Sequence, residues 1–288
     1  MDIQKKAPIT TGMPTFNHKE VEILYSSGLD IDHLVLDKLM LLPRRTLVED
    51  LEKVLLDSII RYPVFIEADN KDILTEEDIT FPIHALILLA ELRSSKSLPL
   101  VLKVFRLDAD FINFWFGEYV NMFLWEPLYQ LGYSQLNVMK NFMCEENIIA
   151  SVRTSVSTAI SQISFHQPEK YLEVVMWYKE VLNLMIQNKD NDTICNSDVI
   201  GFLVLDATNI GAMEISHQIK QVYKHQMPNE WISGSLESVL EKIMEGADIS
   251  ETLEIKDIFH QYEEILDYFF RNNSDVEEDD ELFRFSKN

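Results

Sequence analysis

Glycine and proline are scarce in this chain, with 8 glycines and 9 prolines among 288 residues. The glycine-dependent motifs for phosphate binding and for nucleophilic serine, G-x-x-x-x-G-K-[ST], G-x-G-x-x-G and G-x-S-x-G, are all missing. Nearly every long segment spaces its apolar residues at the helical period instead of alternating them. We therefore expect an all-helical protein, and we find no sequence motif for catalysis.

Cysteine is almost missing as well, since the chain has only Cys144 and Cys195. Two cysteines this far apart predict neither a disulfide framework nor a cysteine-based zinc site, and they fit a reducing compartment. The acidic neighbours of Cys144 in "FMCEEN" predict a raised thiol pKa and an inert side chain.

Long apolar runs are also lacking. The best candidate, Ile83–Ala90, contains His84 and is followed by Glu91, whereas a membrane-spanning helix needs about 20 apolar residues. The first twelve residues hold two lysines but no apolar run, unlike a secretory signal. We expect a cytoplasmic protein with no membrane contact.

Basic residues are few, 25 against 48 acidic ones, for a formal net charge of −23. Such a chain repels phosphate backbones and anionic lipids, so we expect neither nucleic acid nor membrane as a partner. The charge has three interpretations: solubility alone, an acidic face for a basic partner, or a decoy of nucleic acid. The densest acidic stretch is "SDVEEDDE", Ser274–Glu281, which we expect to be disordered.

The chain is rich in segments with helical spacing of apolar residues, and several of them are preceded by residues that typically begin a helix. Thr46 and Glu49 form a predicted capping box at the start of a helix. Pro82 falls where a first helical turn tolerates proline. Ser97 and Ser235 are predicted to cap the helices that follow them.

A helix, a short polar break and a second helix recur four times. The four units start at Ile83, Glu118, Val152 and Asp198, which are 35, 34 and 46 residues apart, close to the ~34 to 47 of two-helix repeat families. A lone pair of antiparallel helices cannot bury both apolar faces, so neighbouring pairs must stack. We expect a short α-solenoid of antiparallel helix pairs, a HEAT-like superhelix; an irregular helical bundle is the alternative.

The C-terminal part carries one continuous apolar helical stripe, with Lys256, Gln261 and Glu264 on its outer face. We interpret it as the capping helix whose polar face terminates the array. The predicted organisation has four parts: a partly irregular N-terminal segment (1–40), the HEAT-like repeat domain (41–245), the capping helix (246–272) and the acidic tail (273–288).

The runs "LPRRTLVEDLEKVLLDSIIRYP", "FPIHALILLAELRSSKSLPLVLKVFRL" and "WFGEYVNMFLWEPLYQLGYSQLNVMKNFM" also resemble a bacterial family known only as domain of unknown function 1186. The resemblance covers roughly Leu42 to Ile243. It implies a short HEAT-type helical repeat protein. The family has no established activity, so the resemblance assigns no role to any residue.

Metal-binding patterns are weak. No histidine is followed by glutamate, and no H-x-x-x-H pair occurs. The loop Asp190–Asp198 begins like a calcium loop but places Ile194 and Cys195 where a ligand and a glycine are needed. We expect neither a metal nor a cofactor.

The most unusual stretch is "DFINFWFGEYVNMFLWEPLYQ", Asp110–Gln130, because it holds more aromatic rings than one helical face can hide. In one interpretation the rings fill the junction between the first and second repeats. In the other, one or more rings project into the concave groove as anchors, with two glutamates as a negative wall for a basic, partly apolar peptide. The candidate binding residues are Trp115, Glu118, Tyr119, Trp125, Glu126 and Tyr129.

The leading hypothesis is a non-enzymatic scaffold that binds a protein or peptide, preferably basic, on its concave face. The alternative is a metal-dependent hydrolase that gathers carboxylates from several repeats. The carboxylates to inspect are Asp108, Asp110, Glu118 and Glu145. The oligomeric state is left open by the sequence.

Overall fold

The computed structural model of the protein describes residues 12–269. Within this range all regular secondary structure is helical and no strand occurs, which confirms the all-α prediction. No helix in residues 12–269 combines the length and the apolar character that crossing a membrane requires. The acidic tail, 273–288, and residues 1–11 lie outside the described residues.

Residues 12–269 contain seventeen α-helices separated by short turns. The same range has five 3-10 segments, at Lys19–Ser26, Ser95–Ser97, Pro168–Lys170, Met213–Ile215 and Ile249–Glu251. The α-helices are α1 (His33–Met40), α2 (Arg44–Ile60), α3 (Tyr62–Asp69), α4 (Glu76–Ile79), α5 (Phe81–Glu91), α6 (Leu98–Val104), α7 (Ala109–Trp115), α8 (Tyr119–Met122), α9 (Trp125–Gly132), α10 (Leu136–Met143), α11 (Ala150–His166), α12 (Tyr171–Gln187), α13 (Ser197–Asn209), α14 (Ser216–Lys224), α15 (Glu230–Ser233), α16 (Leu236–Glu245) and α17 (258–269).

The four predicted units are each a helix, a break and a second helix. Three of them correspond to the pairs α5 and α6, α11 and α12, and α13 and α14. In the second unit, which starts at Glu118, the first predicted helix is divided into α8 and α9, and α10 follows. A 3-10 turn fills the break in the first, third and fourth units. The polar break between the two apolar runs at Ile83–Phe105 is therefore a turn between two helices.

The start signals were only partly read correctly from the sequence. Ser235 caps α16, since its hydroxyl accepts from the Ser238 N–H, and Pro82 lies in the first turn of α5. The Thr46 capping box is wrong, because α2 already begins at Arg44 and the Thr46 hydroxyl donates to the Pro43 carbonyl inside the first turn. Ser97 precedes α6, but its hydroxyl donates to Glu52 Oε1 instead of capping the helix.

Helix contacts define two rows. In the first row α2, α5, α9, α11, α13 and α16 each contact the next, and in the second α10, α12 and α14 do so. Helix α5 lies between α2 and α9, and every residue of Phe81–Ala90 is buried. A helix that is apolar on all sides must be buried on all sides, and the position of α5 inside the protein meets this requirement.

The C-terminal arm, residues 249–269, folds back across the first row. Asp248 N–H donates to the Asn209 carbonyl, and Gln162 of α11 bonds both the Glu251 carbonyl and the Leu253 N–H. Further along, the Tyr262 hydroxyl meets His84 Nδ1 of α5 at 2.6 Å. Helix α17 therefore packs near the start of the first row, against α5.

Two glycines allow close approaches between parts of the chain. At Gly211, whose φ is +69°, an added Cβ would meet the Gly246 backbone at 2.6 Å, so the chain after α16 passes directly over the α13–α14 turn. At Gly201 an added Cβ would lie 3.1 Å from the Asn229 carbonyl oxygen, so α15 can pack closely on α13.

The N-terminal segment is anchored by buried carboxylates of α2. Asp50 accepts from the main-chain N–H groups of Asn17 and His18, and Asp57 pairs with Arg61 and accepts from the Tyr25 hydroxyl. Within residues 12–40 the chain forms a 3-10 helix, Lys19–Ser26, and α1, joined by irregular turns.

Candidate binding cleft

A cleft with a volume of about 1080 Å³ lies between the first row and the C-terminal arm. Its walls come from the α8–α9 region, from α11 and α13, and from the arm itself. We call it the acidic cleft, for the residues described below. The arm is thus a structural part of the site, because its residues form one side of the cleft.

The floor of the acidic cleft is partly apolar. Phe123 and Tyr268 meet edge to face, with ring centroids 5.6 Å apart, which joins α17 to the α8–α9 turn. Trp125 is half-buried beside them, and Met122 and Phe202 complete the apolar lining. Such a surface can bury an apolar side chain of a ligand.

Carboxylates dominate the polar lining, which includes a single lysine, Lys256. Its ammonium pairs with Glu264 at 2.8 Å, which neutralises one of the acidic groups. His260 also lines the cleft and is held by Asp257 at 2.7 Å. The acidic lining residues are Glu126, Asp198, Glu254, Glu263, Glu264 and Asp267.

Glu126 is the most unusual of these groups because it is only 5% exposed. Its Oε1 accepts from the Lys256 N–H at 2.8 Å, so the carboxylate ties the arm to α9. Burial raises the pKa of Glu126 to about 7, with a smaller contribution from the charge of Glu264. At neutral pH the carboxyl group is therefore ionised in only about half of the molecules, and a nearby cation would increase that fraction.

One face of α11 contributes hydroxyl groups to the cleft. Ser151, Thr154, Ser155 and Thr158 follow the i, i+3, i+4, i+7 spacing of one helical face, and all four line the cleft. The Ser155 hydroxyl donates to the Val120 carbonyl, and the Thr154 hydroxyl donates to the Ser151 carbonyl. This face of α11 therefore gives the cleft a polar, uncharged wall.

The predicted aromatic anchors divide into two groups. Trp115, Tyr119 and Tyr129 are at most 7% exposed, so the prediction that they project into a groove is wrong. Trp115 lies among the rings of Phe65, Phe81 and Phe114, each with its centroid within 4.9 Å. The other interpretation, in which the rings fill the junction between the first and second repeats, is closer to this packing, although Trp115 also contacts Phe65 of α3, which lies before the first repeat.

The remaining candidates are placed differently. Trp125 and Glu126 both line the acidic cleft. Glu118 is exposed but lies outside the cleft lining, and it accepts from the Asn121 amide at 3.0 Å.

The carboxylates considered for a hydrolase are engaged elsewhere. Asp108 caps α7 through the Phe111 N–H, and Glu145 forms two bonds with the Arg106 guanidinium. Neither these nor Asp110 or Glu118 line the acidic cleft. In residues 12–269 no group of three or more histidine, cysteine, aspartate or glutamate side chains is arranged to hold a metal ion.

The thiol prediction for Cys144 is correct in direction but wrong in cause. Its pKa is raised to about 11 chiefly by burial, while Arg153 and Lys140 act to lower it. The acidic neighbours named by the sequence are not among the causes. Arg153 itself is buried and donates to the carbonyls of Glu145, Thr193 and Ile194, which joins two loops.

The sequence did not reveal the contribution of the arm to the cleft. Glu263, Glu264 and Asp267 recur at helical spacing on α17, so the signal for an acidic face was present. What was missing was the position of α17, which depends on contacts with residues far away in sequence.

The sequence also gave no signal for Trp231, which lies on α15 and is 99% exposed. Asn229, just before α15, donates to Asp198 of the cleft at 2.7 Å, so this ring lies near the cleft.

Comparison with known proteins places the chain in a family but gives it no activity. No curated protein and no solved structure matches it. The model of the family described as "Protein of unknown function (DUF1186)" matches residues 33–278, which extends beyond both ends of the segment whose sequence suggested the resemblance. The match includes α1 and the whole C-terminal arm as well as the helix pairs. The chain therefore belongs to the DUF1186 family.

Proposed function

We propose that the protein is a non-enzymatic interaction module of HEAT-like helical repeats whose acidic cleft binds a basic, partly apolar peptide segment of a partner protein. The two rows of helices support the repeat architecture, because stacked helix pairs bury their outer and inner helices in two such rows. Helices α9, α11 and α13 of the first row line the acidic cleft, which supports our assignment of this row to the concave face of the proposed architecture.

The observation that carries the proposal is the charge of the cleft over its apolar floor. Six carboxylates and one lysine line a space of about 1080 Å³. Lysine or arginine side chains of a peptide would meet Glu254 and Glu263, while an apolar side chain would pack on Phe123 and Trp125. The exposed Trp231 near the α13 end offers a further ring surface for a cationic side chain.

Glu126 gives the proposed interaction a pH signature. Because its pKa is raised to about 7, the carboxyl is mostly protonated below that pH and mostly ionised above it. A cationic peptide favours the ionised form, so its affinity should rise as pH increases from about 6 to about 8.

Fluorescence anisotropy with two labelled peptides tests the proposal. Both have the same length and the same leucine and tryptophan positions, but one carries lysines where the other carries glutamates. We expect the lysine peptide to bind at low salt, with affinity that falls as salt increases, and the glutamate peptide to bind at least tenfold more weakly.

The matched variants locate the site. Glu254→Lys/Glu263→Lys reverses two cleft carboxylates and should weaken binding of the lysine peptide by about tenfold or more. Glu237→Lys/Glu241→Lys makes the same charge change on the exposed face of α16, outside the cleft lining, and should leave binding nearly unchanged. Equal effects of the two variants would show that only overall charge matters, against the proposal.

A further inference from the structure

A second cleft has the opposite charge from the rest of the molecule. It has a volume of about 790 Å³ and lies where the start of α2 meets the turn between α5 and α6. We call it the basic cleft, because Arg44 and Arg45 of α2 and Arg93 and Lys96 of the turn line it. In a chain with a net charge of −23, four cations around one small space are unexpected.

The two glutamates in the lining offset half of this charge, because four cations against two carboxylates leave a net charge of +2. Glu49 is paired with Arg45 at 3.1 Å, and Glu52 accepts from the Ser97 hydroxyl at 2.6 Å. Arg44 donates to the Leu92 carbonyl, which carries no net charge. Neither Arg93 nor Lys96 has an ion pair in the described part of the chain, so both can pair with a ligand. Arg93 would do so in competition with Glu91, on whose carboxyl its charge acts.

The backbone of Arg93 gives a second reason to regard the cleft as a site. Its φ is +46°, and it follows the end of α5, where Ser94 N–H bonds the Leu89 carbonyl. Glycine is the preferred residue at such a helix end because a side chain makes this conformation costly. An arginine kept in a strained position beside three other cations indicates a role for its charge.

We propose that the basic cleft binds the chain's own acidic segment, Ser274–Glu281. This segment has the sequence "SDVEEDDE" and supplies six carboxylates. Guanidinium groups pair with carboxylates through two parallel hydrogen bonds, so Arg93 and Arg44 suit such a ligand. A ligand in the same chain is also present at a high effective concentration, which makes several weak ion pairs sufficient.

The segment can reach the cleft. Tyr262 contacts His84, and α5 leads from His84 towards Arg93, while α17 leads from Tyr262 to residue 269. With a helical rise of about 1.5 Å per residue, these paths and the bridging side chains total at most about 35 Å. Twelve extended residues, 270–281, span up to about 40 Å.

Cleavage by a glutamate-specific protease tests the proposal on the full chain. Docking should protect the bonds after Glu277, Glu278 and Glu281, and mass spectrometry measures their rate of cleavage. The variant Arg93→Glu/Lys96→Glu should be cleaved there about fivefold faster than the wild type at the same low salt, because several ion pairs are lost together. Adding Asp279→Lys/Asp280→Lys to that variant should restore protection.

Two controls separate docking from other effects. Lys103→Glu/Lys220→Glu makes the same change in net charge on exposed positions outside the cleft and should leave the cleavage rate unchanged. Arg93→Gly removes one cation and relieves the strained φ, so it should accelerate cleavage while leaving the protein at least as stable as the wild type.

Three outcomes would overturn the proposal: equal rates for the cleft variant and its control, no restoration by the reversed tail charges, or protection that increases with protein concentration. The last would assign the cleft to a second copy's segment.

Discussion

The acidic cleft and the basic cleft differ in how the chain builds them. The basic cleft is assembled from the start of α2 and the turn that joins α5 to α6, which belong to neighbouring helices of the first row. The acidic cleft needs residues from α9, α11, α13 and an arm that returns from the far end of the chain. The first is fixed by local helix packing, and the second depends on a few long-range polar contacts.

The contact between His84 and Tyr262 is one of the long-range polar contacts on which the acidic cleft depends. The Ser27 carbonyl can only accept, so it takes the proton of His84 Nε2, and Nδ1 accepts from the Tyr262 hydroxyl. The imidazole is therefore neutral, and burial lowers its pKa to about 4. One buried pair thus joins the arm, α5 and the N-terminal segment.

The largest expected effect follows from removing the contact between His84 and Tyr262. Tyr262→Ala deletes a buried ring and leaves His84 Nδ1 without its donor, so the free energy of unfolding should fall by about 3–5 kcal/mol. Tyr262→Phe keeps the ring and should cost about 1–3 kcal/mol. Urea denaturation measures both.

Hydrogen exchange distinguishes the two clefts in the same variants. In Tyr262→Phe, amides of the arm should exchange faster, while those of the α5–α6 turn should be nearly unaffected. Equal acceleration in both regions would mean that the arm is not an independently anchored part of the acidic cleft.

His84 and Glu126 should contribute to the pH dependence of stability in opposite directions. The pKa of His84 is about 4 in the folded protein and about 6.5 when unfolded, so the unfolded state binds more protons between these values. The contribution of His84 to stability is complete above about pH 6.5 and is lost as pH falls towards 4, by about 3 kcal/mol in total.

Glu126 acts in the other direction because its folded pKa, about 7, lies above the ordinary value of 4.5. Its contribution to stability is complete below about pH 4.5 and is lost as pH rises through 7. Glu126→Gln should therefore be roughly neutral at pH 5 and stabilising by about 2 kcal/mol at pH 8. Urea denaturation at pH 5, 6.5 and 8 measures the difference, with the exposed Glu237→Gln as a control that should show no trend.

The smallest effect concerns the basic cleft. Arg93→Gly should raise the free energy of unfolding by about 0.5–1 kcal/mol, because glycine adopts a φ of +46° without steric cost. Thermal unfolding followed by circular dichroism measures it. A loss of stability would indicate that the Arg93 side chain makes contacts that support the fold.

The sequence predicts these two regions with unequal success. Helical spacing and the break at Ser95–Ser97 located the α5–α6 turn, since both signals lie within about 25 residues. The return of the arm could not be predicted, because His84 and Tyr262 are 178 residues apart and nothing local marks them as partners. The same limit explains Trp115 and Tyr119, whose burial depends on rings brought from α3, α5 and α17.

The central claim is that the acidic cleft recognises positive charge in a peptide, and a double-mutant cycle tests it most directly. The four affinities are those of wild type and Glu254→Lys/Glu263→Lys for the lysine peptide and for its glutamate counterpart, measured by calorimetry at one salt concentration. We predict that the reversed protein prefers the reversed peptide, with a coupling free energy of about 1.5 kcal/mol or more. Additive effects, with no coupling between the two reversals, would contradict the account.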